Sequence, residues 1–190
     1  MGLFDIFTST GPEKALKLKP KITQKYGDPT SRQKAIATLG DMGTPEAVAV
    51  LLYRFTINVT PDTTDAFEKD NAFQAIVGLG VDAVKPVKDF LRKSDQATSW
   101  SLRLLNKLLT PEEVVEAVCD LLTALGAEYT RDPEKKVVLL NFLEDKQGPR
   151  IGAVAAPFLQ DMSDDVKFAA IKLVALHKYE PAREALVEIL

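Results

Sequence analysis

One spacing pattern recurs along the chain. Arg32 is followed, three, four, six and seven positions on, by Ala35, Ile36, Thr38 and Leu39. Lys69 leads in the same way to Ala72, Phe73, Ala75 and Ile76. Lys136 leads to Leu139, Leu140, Phe142 and Leu143, and Lys167 to Ala170, Ile171, Leu173 and Val174. A copy without the basic residue starts at Thr98 and places Ser101, Leu102, Leu104 and Leu105 at the same offsets. Offsets of three, four and seven share one face of a helix, so each copy predicts a helix that buries one stripe. A second apolar stripe follows each copy, and most open on a helix-start signal. Thr44-Pro45-Glu46 and Thr110-Pro111-Glu112-Glu113 put a capping residue before proline and acid in the first turn. Proline fits that position because its missing N–H would be unpaired there. Gly148-Pro149 and Glu180-Pro181 are weaker versions, and Asp82 is the expected cap of the remaining helix.

The reading is five helix pairs: 29–42 with 45–57, 65–79 with 83–93, 96–109 with 111–125, 133–146 with 149–161, and 164–177 with 181–190. Phe55–Thr60 alternates as a strand would, but is read as a helix end entering a loop. No pair can bury its apolar stripe alone, whereas stacked pairs form a continuous core. Residues 1–27 are read as an N-terminal cap segment and 28–190 as the repeat domain. In the cap, Lys14, Lys17, Lys19, Lys21 and Lys25 crowd around Leu16, Leu18 and Ile22, and Pro20 is expected to break or kink a long helix.

Asp164-Asp165-Val166-Lys167-Phe168-Ala169-Ala170-Ile171-Lys172-Leu173 resembles the first helix of a HEAT repeat, and so does Ser31–Gly40. The spacing of about 30–40 residues between copies suits that family better than tetratricopeptide repeats, with their fixed period and Trp/Gly/Tyr pattern. The resemblance covers about residues 28–190 and extends to stand-alone bacterial HEAT-repeat proteins. It implies an all-α, right-handed α-solenoid of about five helix pairs. First helices would line its convex face and second helices its concave face, and its function would be protein binding. The family has no common catalytic residues to carry over.

Composition narrows the function. The 190 residues are 46% hydrophobic and 27% charged, ordinary for a globular protein. The net charge of −3 offers no general field for nucleic acid. Cys119 is the single cysteine, which precludes an internal disulfide and fits a reducing, cytoplasmic setting. Met1–Phe7 lacks the basic start of a secretory signal, and Ile6 stands where a myristoylation motif needs Ser or Thr. No segment is long and apolar enough to insert in a membrane.

Candidate chemistry is sparse. His177 is the only histidine and reads as a helix C-terminal residue. Cys119 reads as a buried thiol, and one Cys with one His cannot form a Cys/His zinc site. No P-loop, dinucleotide glycine pattern or EF-hand spacing is present. The expectation is therefore no catalytic residue, no metal and no cofactor. Trp100 is assigned to a core stripe with Ala97, Leu104 and Leu108, and Pro157 to a kink in the fourth second-type helix.

Binding is expected on the concave face. Lys85, Lys88 and Arg92 turn outward from the second helix of pair two, and Glu113, Glu116 and Asp120 from that of pair three. Tyr53 and Arg54 extend the surface with side chains suited to binding hot spots. The leading function is an adaptor for an unidentified protein. A nucleic-acid-binding helical-repeat protein and a HEAT-like lyase or chaperone are the alternatives. Leu186, Ile189 and Leu190 suggest possible self-association through the C-terminal repeat.

Overall fold

A computed structural model describes residues 11–189. The readings made of Met1–Phe7 and Leu190 lie outside those residues. The described chain is helical and contains no strand, and no described helix is long and apolar enough to cross a membrane. It divides into two compact units, the first ending at Leu108 and the second beginning at Leu109. The boundary falls inside the third predicted pair.

The first unit contains α1 (Gly11–Ile22), α2 (Pro29–Met42), α3 (Pro45–Leu51), α4 (Asp62–Gly78), α5 (Val84–Lys93) and α6 (Thr98–Leu108). Within it, α2, α4 and α6 pack in one row, and α1, α3 and α5 in another. The N-terminal helix thus joins the row of second helices. Ile36, Leu39, Leu51, Leu52, Ile76 and Leu104 are buried between the rows. The second unit contains α7 (Pro111–Leu125), α8 (Glu134–Phe142), α9 (Ile151–Ala155), α10 (Asp164–Leu176) and α11 (Arg183–Ile189). Here α8 packs on α10 and α7 on α9, with Val118, Leu122, Leu139, Phe158 and Leu173 in the core.

Local chemistry accounts for several helix ends. The Asp28 carboxylate accepts from the N–H groups of Thr30 and Ser31, at 3.0 and 3.1 Å, and so starts α2. Gly43, at φ 54°, closes α2 in a left-handed conformation that glycine adopts without strain. Thr44 Oγ1 accepts from Ala47 N–H. Thr110 and Glu113 form a reciprocal capping box at α7. Gly152 is placed by packing: a Cβ there would lie 2.7 Å from Tyr179 Cβ.

Several local expectations change. α1 runs through Pro20 to Ile22, with the proline in its last turn. Asp82 lies in a 3₁₀ turn, Gly80–Ala83, and α5 has no side-chain cap. α8 ends at Phe142, short of the predicted 146. After Ala155 the chain tightens into a 3₁₀ segment, Ala156–Gln160, around Pro157. That proline has no N–H to complete the α-helical ladder. Phe55 and Thr56 end a 3₁₀ segment, Leu52–Thr56, before the backbone becomes extended at Ile57. The buried face of α6 is Thr98, Ser101, Leu102, Leu104 and Leu105, which is the face the repeat pattern marks. Trp100 is half-buried at its edge.

Candidate functional site

The row of α1, α3 and α5 encloses a groove of about 930 Å³. Val50 and Tyr53 come from α3 and the 3₁₀ segment that continues it. Leu16 comes from α1, and Val81, Pro86 and Phe90 from α5 and the turn before it. Leu16 is 60% exposed and Val81 77%, so both present apolar surface to solvent. The floor is fixed by ring contacts. Tyr53 meets Phe90 edge to face at 5.3 Å and 88°. Lys19 Nζ lies 3.3 Å from the centroid of the Tyr53 ring. Glu46, Asp82, Lys85, Asp89 and Lys93 supply a charged rim. An apolar floor inside a polar rim is the anatomy of a protein-binding surface.

The predicted binding residues have different fates. Tyr53 lies in the groove and Lys85 at its rim, where it pairs with Asp89 one turn on. Lys88 and Arg92 are not among the groove's lining residues, and Arg92 lies 3.9 Å from Asp89. Arg54 is not on the surface at all, because its side chain is fully buried. Adjacent residues of a 3₁₀ turn point about 120° apart, so Tyr53 and Arg54 cannot share a face. The acidic residues belong to the second unit and are engaged there. Glu113 closes the capping box of its own helix. Glu116 and Asp120 both accept from Arg150, at 2.5 and 2.8 Å.

Arg54 instead joins a buried ion network on the inner side of the same 3₁₀ segment. Glu68 Oε2 accepts from Arg32 Nε at 2.5 Å and from Arg54 Nε at 3.0 Å. Asp65 accepts from Arg54 at 2.7 Å and pairs with Lys69 at 2.6 Å. Lys69 also donates to Asn58 Oδ1. Two of the basic residues that mark the repeat, Arg32 and Lys69, are therefore network members, and their carboxylate partners are what sequence spacing left unidentified. Burial pushes the Asp65 carboxyl up, but hydrogen bonds from Lys69, Arg54 and Val59 N–H hold it below its ordinary 3.8.

A carboxyl depressed in the folded chain contributes stability that is present above its unfolded pKa and lost as pH falls through the folded one. The first unit is therefore expected to lose stability below about pH 4, more steeply in the wild type than in Asp65→Asn. Denaturant titrations across pH, followed by emission of the single tryptophan, Trp100, check this. Parallel acid limbs in the two proteins contradict it.

Trp100 is half-buried against its neighbours. Phe55 stacks on it at 4.8 Å and 21°, and the Arg103 guanidinium lies 4.2 Å from its centroid. Cys119 is buried, and desolvation pushes its thiol up to about 11, far from a reactive thiolate. His177 caps the end of α10, its N–H donating to Leu173 C=O. Among the described residues, no three His, Cys, Asp or Glu side chains are placed to hold a metal ion. No protein-family model, curated protein or solved structure matches the chain.

Proposed function

We propose that this chain is a non-catalytic protein-interaction scaffold of the HEAT-like solenoid kind, and that it holds a segment of a partner protein in the groove of α1, α3 and α5. The observation that carries this reading is the exposed apolar lining of that groove, built by one row of helices and framed by charges. The two-row packing within each unit supports the solenoid reading, since stacked helix pairs produce such rows. An amphipathic partner helix suits the groove, with aliphatic side chains against Leu16, Tyr53 and Val81 and polar ones at the rim.

The test is affinity capture from a lysate of the native host with wild type and two variants. Leu16→Glu/Val81→Glu places charge inside the groove, and Lys88→Glu/Arg92→Glu changes charge outside it. The wild type and the second variant are expected to retain the same protein, and the first to lose it by at least about tenfold. Equal retention by the groove variant, or no specific protein on the wild type, overturns the proposal.

A further inference from the structure

α1 carries a second surface, separate from the groove. Ala15 and Ile22 bury one side of the helix, and Pro12, Leu16 and Lys19 face the groove. Lys14, Lys17 and Lys21 are exposed, and their spacing of three and four puts them on one remaining face. The stripe covers about 10 Å of helix. Lys25 and Tyr26 follow in the next turn, with Lys25 Nζ 5.8 Å from the Tyr26 ring and Tyr26 81% exposed. Among the described residues, Lys14, Lys17 and Lys21 take part in no ion pair with a carboxylate.

Lys21 lies in the last turn, where a cation favours the helix, but Lys14 and Lys17 lie too early in it to do so. Like charges three and four positions apart repel, and Glu13, four positions before Lys17, is the one acidic residue of the helix against these three lysines. Because the chain's net charge is −3, the stripe is a local exception and not part of a general basic field. Its benefit lies with an anion outside the molecule. The side chains are lysines, point charges without the planar fork that reads a base edge or grips one phosphate in two places. They lie along one convex helix with no groove walls beside them, which suits a plane of charge. Tyr26 has the aromatic body and polar tip that settle at headgroup level.

We infer that the lysine face of α1 docks on an anionic phospholipid bilayer, as a peripheral and reversible contact. The groove on the adjacent face of the same helix stays free, so the contact would place a scaffold's partner at the membrane. The two ideas are independent, since Lys14, Lys17 and Lys21 do not line the groove.

The experiment is co-sedimentation of the full chain with vesicles of phosphatidylcholine alone and of phosphatidylcholine with about one-third phosphatidylserine. A short duplex DNA is titrated in parallel at the same salt. The wild type is expected to bind the phosphatidylserine vesicles only, and to be released as salt shortens the screening length. Each lysine near the surface contributes about fivefold, so Lys14→Glu/Lys17→Glu/Lys21→Glu loses at least about 100-fold. The triple glutamine variant, which keeps helix propensity, falls between. Unchanged Trp100 emission shows that the first unit stays folded in both variants. Vesicle binding by the triple glutamate variant at wild-type strength overturns the inference. So does equal binding to neutral vesicles, tighter binding to the duplex, or no vesicle binding by the wild type.

Discussion

Glu68→Ala is expected to destabilise the first unit by about 3–5 kcal/mol, the cost of leaving a buried charge without its partner. The Glu68 side chain is fully buried, and its Oε2 is the acceptor shared by Arg32 and Arg54. Arg54 is itself fully buried, and Arg32 nearly so. Removing the carboxylate leaves two guanidiniums close together in a low-dielectric interior, with only Asp65 and two backbone carbonyls to answer them. Because domain stability is about 5–15 kcal/mol, one substitution removes a large part of it. Arg32→Met/Glu68→Leu/Arg54→Met should recover most of the loss, because it removes the buried charges together with their desolvation cost. Denaturant unfolding followed by Trp100 emission reads the effect in the unit concerned, since Trp100 stacks on Phe55 there. A loss near 1 kcal/mol would show that water reaches the network and screens it.

Lys136→Met carries the second large effect, in the second unit. The Lys136 side chain is 2% exposed, and Nζ donates to Asp161 Oδ2 at 2.7 Å and Glu128 C=O at 2.6 Å. Asp161 is equally enclosed and keeps only its bond from Ser163 N–H once the ammonium is gone. The expected cost is again about 3–5 kcal/mol. Lys167 occupies the same position in the repeat pattern, but its side chain is 32% exposed and pairs within its own helix with a more exposed Asp164. Lys167→Met should cost less than about 0.5 kcal/mol. Hydrogen exchange of α8 and α10 amides measures both, because local opening reports the second unit without a fluorophore. Lys136→Met/Asp161→Asn should recover part of the loss by removing the orphaned charge. Equal costs at Lys136 and Lys167 would mean that burial does not set the value of this position.

The sequence by itself determined that the chain is helical and which stripe each of the five pattern copies buries. Periodicity is a local property: residues three and four apart share a side of a helix wherever that helix lies. Arg32, Lys69, Thr98, Lys136 and Lys167 therefore marked buried faces correctly, even in the copy that lacks the basic residue. The Thr-Pro-Glu starts at Thr44 and Thr110 were legible for the same reason, because a cap is completed within four residues. The same rules misplaced Trp100, which lies at the edge of the buried face, and Asp82, which lies in a 3₁₀ turn and caps no helix by its side chain.

Only the tertiary structure decided which charges meet. Glu68 lies 36 positions from Arg32, and Asp161 lies 25 from Lys136, separations that no helical period encodes. Spacing predicts that a side chain turns away from the apolar stripe, but not whether it then meets water or a neighbouring helix. Tyr53 and Arg54 show the consequence. Two adjacent residues of similar binding chemistry were divided by about 120° of 3₁₀ rotation, one into an open groove and the other into a closed ion network. The groove had the same origin: its lining comes from α1, α3 and α5, and only their packing brought Leu16, Tyr53 and Val81 together. Local order follows from neighbours along the chain. A site made by distant segments exists only once the burial of their apolar stripes has fixed where each helix lies.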